Sequence, residues 1–411
     1  MLRKQPHLKV LVTLLACGLS MAAQAATPSL SLDGFGTLGA VYSDEARADH
    51  TSSIFAARGA GYSSDWSAEV DSRLGLQLSA EVTPRLSGVV QAISEQRYDG
   101  SYQPTIEWAN LKYHVTPDLS VRAGRLMLPV FMNAEYRKVG YALPWVRTPQ
   151  EVYSSIPISN IDGVDISYRF RLGEVNNTLR ATYGQTTGKF PYIDQNGERA
   201  TGAAVAREGF TLGNNLEWQN LRLFTAYTHY RLSIEELTPF FDIYRAFGPD
   251  GEAIADRYDM NDKRFDVFSL GANYDTGNWF VMGEWTQSSS RTFVGDSRGW
   301  YITHGYRLGS ITPYVTYARH SKRSPTSVAG LSQPGTEVLD ATLNYFTAYQ
   351  DSQTRFSLGA RWDFARGMNL KAQIDHIDLD AGSNGYLTNR NPAFEPGGSV
   401  NLFSLALDFV F

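Results

Sequence analysis

Ionisable side chains recur at every second position in several stretches of this chain. Between Ala68 and Val82, Glu69, Asp71 and Arg73 alternate with Val70, Ser72 and Leu74. Asp165 and Arg169 alternate with Val164, Ile166, Tyr168 and Phe170, and Arg355 and Arg361 with Phe356, Leu358, Trp362 and Phe364. Lys371 and Asp375 interleave with Leu370, Ala372 and Ile374. Charges so spaced line one face of an extended segment. The chemistry open to them is electrostatic: they keep that face wet and set up a field that sorts ions. The charged set expected on that face is Glu69, Asp71, Arg73, Glu95, Arg97, Lys112, Arg122, Asp165, Arg169, Arg180, Arg355, Arg361, Lys371 and Asp375, in which basic residues lead.

Covalent chemistry has little to work with. Beyond the N-terminal segment the histidines are His50, His114, His229, His304, His320 and His376. None stands beside a serine in a hydrolase motif or at metal-ligand spacing from another histidine, and no Gly-rich phosphate loop is present. The single cysteine, Cys17, lies in the leader described below, so disulfides and thiol chemistry are not expected. The reading is non-enzymatic, with no cofactor and no metal. Lys and Arg number 37 against 42 Asp and Glu, a net charge of −5, which argues against nucleic acid as a partner.

The elements that must hold these charges are strands. The alternation has period two, and a helix would mix the two sets on every face. Strands are expected at 29–42, 67–82, 86–98, 105–115, 119–128, 161–171, 178–185, 207–217, 221–232, 266–275, 279–287, 299–308, 311–320, 353–363, 369–378 and 399–411. Short breaks, such as Thr83-Pro84-Arg85 and Thr116-Pro117-Asp118, alternate with longer connections near 43–66, 99–104, 129–160, 186–206, 233–265, 288–298, 321–352 and 379–398. One face of each strand suits lipid tails and the other water. Lipid offers no hydrogen bonds, so such a sheet must close on itself. The fold class is all-β: a transmembrane antiparallel barrel of about sixteen strands, enough to leave an aqueous bore.

The two ends agree. Arg3, Lys4 and Lys9 precede an apolar run from Val10 to Leu19, and Ala23-Gln24-Ala25 has the small-x-small form of a cleavage site. Residues 1–25 are read as an export signal and 26–411 as the barrel. A lipoprotein cut at Cys17 would leave a very short apolar run, so the later site is preferred. The chain closes on Phe403, Leu405, Leu407, Phe409 and Phe411 at alternate positions. This pattern resembles the C-terminal signal that the barrel assembly machinery reads as a last strand.

With its terminal Phe, sixteen strands and one long loop after the fifth strand, the chain resembles the general porin superfamily of Gram-negative bacteria. The resemblance implies an outer-membrane channel for passive diffusion of small hydrophilic solutes and ions. It also implies a homotrimer surrounded by lipid and lipopolysaccharide. A substrate-specific channel for sugars, phosphate or dicarboxylates is the alternative, and a surface adhesin or receptor a third. In the superfamily the loop after strand five folds inward and narrows the bore; here it is Pro129 to Asn160. It is basic, aromatic and Pro-rich where the family is often Gly-rich and acidic. The expected pore-lining set is Arg73, Arg97, Arg122, Glu135, Arg137, Glu151, Asp162, Arg169 and Arg361. Within it, Arg73, Arg97 and Arg122 would form a basic ladder facing Glu135, Glu151 or Asp162 across a constriction. Tyr42, Trp108, Tyr113, Trp279, Trp285 and Trp300 are candidates for the interfacial girdles. A sugar track through Tyr136, Tyr141 and Trp145 is conceivable, though packing within the loop is the simpler role.

Overall fold

The computed structural model describes residues 28–193, 198–323, 326–331 and 333–411. The export signal expected at 1–25 lies outside the described residues.

Period-two patterning produces sixteen long strands. They are β1 (Ser29–Ser43), β2 (Arg73–Thr83), β3 (Leu86–Glu95), β4 (Thr105–His114), β5 (Leu119–Met127), β6 (Asn160–Leu172), β7 (Val175–Ile193) and β8 (Arg199–Trp218). Then follow β9 (Leu221–Ile234), β10 (Lys263–Asp275), β11 (Trp279–Ser290), β12 (Asp296–Tyr306), β13 (Ile311–Arg323), β14 (Gln353–Ala365), β15 (Met368–Leu379) and β16 (Gly398–Val410). Each pairs antiparallel with its neighbours in sequence, and β1 pairs with both β2 and β16. The sheet is therefore a closed barrel, and its seam runs from Phe35 opposite Val410 to Ser43 opposite Leu402. Phe411 completes the seam: its N–H donates to Gly34 O at 3.0 Å, and Gly34 N–H donates to Phe411 O at 2.8 Å. The Phe411 ring lies over Gly34, in space that a Cβ would occupy.

Side chains sort as the alternation requires. Leu74, Leu76, Leu78, Ile166, Leu358 and Ile374 are exposed on the outer wall, while Asp165, Arg355, Lys371 and Asp375 are buried within. No described helix is long and apolar enough to cross a membrane.

β7 and β8 extend well beyond the expected 178–185 and 207–217. They form a tall hairpin whose Thr186–Ile193 section pairs only with β8, because β6 stops pairing at Asp162. Lys189 and Pro191 sit on that free edge and blunt it against further pairing. The long outer loops carry helices α2 (Thr238–Arg245), α3 (Pro249–Tyr258) and α4 (Glu337–Thr347). Phe241, Tyr244, Ala255, Leu331 and Leu343 give these loops an apolar core of their own.

The main core lies inside the barrel. Residues 128–159, between β5 and β6, turn inward and place Phe131, Trp145, Val152, Tyr153 and Ile156 against Tyr230, Phe265, Val267, Tyr301, Tyr314 and Ala318 of β9–β13. The loop thus fills one side of the bore and leaves the other wet.

Candidate functional site

The loop is fixed by buried polar anchors, most of them on inward strand positions and one, Asp71, just before β2. Trp145 Nε1–H donates to Thr303 and Thr316 Oγ1 at 2.9 and 3.1 Å. Arg147 donates to both oxygens of Asp71, to Asp375 Oδ2 at 3.2 Å and to Ser404 Oγ at 2.7 Å. Burial opposes the Arg147 charge, but the two aspartates more than offset it and hold its pKa above the ordinary arginine value. Glu151, on the single turn α1 (Gln150–Tyr153), is fully buried and accepts from Arg355 at 2.9 Å and Gln353 at 2.6 Å. Lys371 donates to the carbonyls of Gly140 and Trp145. Glu284 accepts from Met132 N–H, Tyr153 and Tyr301. Buried polar groups persist only when satisfied in this way, so the loop has one docked position.

Opposite the docked loop lies a cavity of about 520 Å³ between the loop and strands β2, β3, β4, β6 and β7. Its charged lining is Glu69, Asp71, Arg73, Glu95, Arg97, Glu107, Arg125, Arg137, Lys138, Arg147, Asp162 and Lys189. Most of these charges are compensated. Lys138 bridges Glu95 at 2.6 Å and Glu107 at 3.1 Å. Burial works against its ammonium, yet the Glu107 and Glu95 carboxylates prevail and raise its pKa above the ordinary lysine value. Arg73 stands 3.9 Å from Glu95, and Arg125 makes a bidentate pair with Asp162 at 2.7 Å. Arg97, Lys189 and Arg137 have no ion pair to a carboxylate among the described residues.

Below the cavity, toward the short-turn end, the inner wall of β4–β7 carries Lys112, Arg122, Arg180 and Arg169 with one carboxylate, Asp165. Asp165 accepts from Arg122 at 2.9 and 2.8 Å, and Arg180 lies 3.3 Å away. The inner stretch of this side of the bore is therefore predominantly basic, while the cavity above it is close to balanced.

The expected pore-lining residues divide. Arg73, Arg97 and Arg137 line the cavity. Arg122 belongs to the basic wall, and Glu135 is exposed on the loop, close enough to Arg122 and Arg180 to act on them electrostatically. The opposing partners are corrected. Asp162 shares the parity of Val164 and Ile166, so it points outward on the same wall as the arginines and pairs with Arg125. Glu151 is carried by the loop to β14 and sealed there by Arg355, where no ion reaches it. Arg361 holds the loop, donating to Tyr141 O and Leu143 O while pairing with Asp363. Arg169 lies at the inner rim and donates to Pro117 O, away from the narrowing. Trp108 faces inward against the loop core instead of joining a girdle, and Trp145 is packed, not available to a sugar. The sequence reading missed Lys189 and the Lys138–Glu95–Glu107 bridge. Lys189 sits in a stretch without oil-and-water alternation, and the bridge joins residues 31 and 43 positions apart.

A closed sixteen-strand barrel with an inward-folded loop and a charged, eccentric passage has the architecture of outer-membrane porins. The family model of Gram-negative porins matches residues 238–382. Among solved structures, the chain is similar to the outer membrane channel DcaP of Acinetobacter baumannii, at 11% identity and TM-score 0.56, covering 95% of this chain and 100% of that one. It is similar to OmpF of Salmonella typhi, at 13% identity and TM-score 0.52, covering 93% and 97%. It is also similar to an anion-selective porin from Comamonas acidovorans, at 14% identity and TM-score 0.50, covering 94% and 100%. No curated protein matches the chain.

Proposed function

We propose that the barrel lets small hydrophilic solutes diffuse passively across the outer membrane and favours anions over cations. The observation that carries this reading is the basic inner wall of β4–β7, where Lys112, Arg122, Arg169 and Arg180 share a single aspartate. Rings and ladders of one sign bias which ions enter a narrow water path. The reading is of a conduit, not a catalyst. The test is reconstitution into planar bilayers under a potassium chloride gradient. An ohmic conductance with a reversal potential on the chloride side is expected; a potential on the potassium side would overturn the anion preference.

Assembly belongs to the same proposal. Three copies would associate in the membrane amid lipid and lipopolysaccharide, and the β16 strand ending in Phe411 would be read by the barrel assembly machinery. Crosslinking of the detergent-extracted protein checks the trimer. N-terminal sequencing of the mature chain, expected to begin at Ala26, checks the leader. One observation favours a surface-receptor role instead: α4 exposes Val338 at 81% and Tyr345 at 72%. A reconstituted barrel without conductance would move the weight to that reading.

A further inference from the structure

We propose that the outer end of the passage is a docking site for a small organic anion with a flat apolar body, such as an aromatic monocarboxylate. The proposal rests on the channel reading and names the solute class that the mouth would concentrate. The site is the Tyr98 ring with two cations against it, Arg97 at 5.3 Å and Lys189 at 5.6 Å from its centroid.

These two cations differ from most others in the cavity. Arg73, Arg125, Lys138 and Arg147 each have a carboxylate within 4.0 Å. Arg97 donates only to the neutral Gln103 and Tyr98, at 3.5 Å each, with Asp99 acting on it through space, and Lys189 has the Tyr98 ring alone among the described residues. The nearby acids are occupied. Asp99 accepts from Ser101 N–H and Oγ–H, and Glu69 is held by Arg58 and Gln96. Two like charges drawn to one ring repel each other, and an entering carboxylate relieves that repulsion.

The rest of the wall sets the second requirement. Phe55, Ile106, Pro157 and Ile158 line the same cavity, and Phe55 stacks on Phe190 at 6.4 Å. A bare inorganic anion would leave this apolar surface wet. A carboxylate carrying a ring would cover it, and burial of apolar area adds to the charge contact. The volume of about 520 Å³ falls within the range of small-molecule sites.

The test uses benzoate as probe, with acetate and sulfate as comparators, on the full mature protein. In planar bilayers, benzoate should block chloride current at about one-tenth the concentration of acetate. In the R97Q/K189Q double variant the block, measured against that variant's own unblocked current, should weaken about tenfold, the loss of roughly one charge contact. Equal block by benzoate and acetate, or block that survives the double variant, overturns the proposal and leaves the channel reading intact. Calorimetric titration of the detergent-folded protein gives an independent readout: benzoate binding lost in the double variant supports the site even if no current is seen, and absent binding refutes it. Heat-modifiable mobility verifies folding. K189Q, on the exposed hairpin edge, serves if the double variant does not fold.

Discussion

Arg147 and Asp71 meet face to face inside the barrel, with Nη2 and Nε donating to Oδ2 and Oδ1 at 2.7 and 3.1 Å across 76 residues of sequence. The same guanidinium reaches Asp375 on β15, so a single side chain of the inward loop ties together two separate parts of the wall. Both partners are buried, and the pair fastens the loop to the wall on the side of the passage.

Replacing Arg147 with Met strands Asp71 without its cation and leaves Asp375 only Arg355, 3.8 Å away. Removing one partner of a buried pair costs about 3–5 kcal/mol. The loop should then leave its docked position part of the time. Single-channel records should show flicker that is absent from the parent, and trypsin should cut at Arg137 or Lys138. A quiet current would mean that Trp145 and Arg355 suffice.

Lys138→Gln leaves Glu95 and Glu107 side by side without their bridge. The passage loses one positive charge, Glu107 loses its ion pair and Glu95 keeps only Arg73 at 3.9 Å, so the reversal potential should move toward potassium. Because the Lys138 pKa is raised, the bridge is fully formed below 10.5 and is lost only as pH climbs through the raised value. Loop protection from trypsin should be the same at pH 7 and pH 10. A loss between those values would contradict the assignment.

On the basic wall, Arg122→Gln leaves Asp165 still paired with Arg180. A unit charge about 4 Å from an ion path is worth about 1 kcal/mol in water, or roughly fivefold in ion preference. The chloride-to-potassium permeability ratio should drop by up to that factor, with a larger drop when Lys112 and Arg180 are neutralised as well. An unchanged ratio for the triple variant would remove these strands from the selectivity path.

Trp145 offers a graded test of the plug. Trp145→Ala deletes a ring packed edge-on at 5.4 Å from Tyr301 and should cost about 3–5 kcal/mol, read as a lower melting temperature and a larger, noisier conductance. Trp145→Phe keeps most of the packing and loses only the indole N–H. Thr303 and Thr316 still bond each other at 2.7 Å, so the cost should be about 1 kcal/mol.

At the seam, Gly34→Val puts a side chain where the Phe411 ring rests. Folding into lipid vesicles should slow and its yield fall, as judged by heat-modifiable mobility, whereas the same change at the more distant Gly213 should be mild. Equal folding of both would show that the terminal ring is dispensable for closure.

The strands were legible wherever membrane and lumen impose opposite demands on neighbouring residues, as in β2, β6, β14 and β15. The signal faded above the membrane. The upper halves of β7 and β8 rise beyond β6 and pack one face on loop residues, Phe190 against Phe55 and Gly188 against Ile158, so residues 186–206 lack the membrane alternation and read as a loop. Of the site, parity located Arg73 and Arg122 on the inner wall. It could not locate loop residues, because Glu151 and Lys138 are positioned by long-range partners on β14, β3 and β4. Asp162 shows the reverse: it lies in the expected strand 161–171, where its parity with Val164 and Ile166 already sets it apart from the inward-facing charges, so it could not stand opposite the arginines.

The asymmetric bore has a practical corollary. Since the inward faces of β9–β14 meet the docked loop and not the traffic, that arc of the barrel is free of any duty toward cargo. Its interior can be rewritten for robustness without touching what passes. The solute preferences of this pore should be re-engineered from the β2–β7 arc alone.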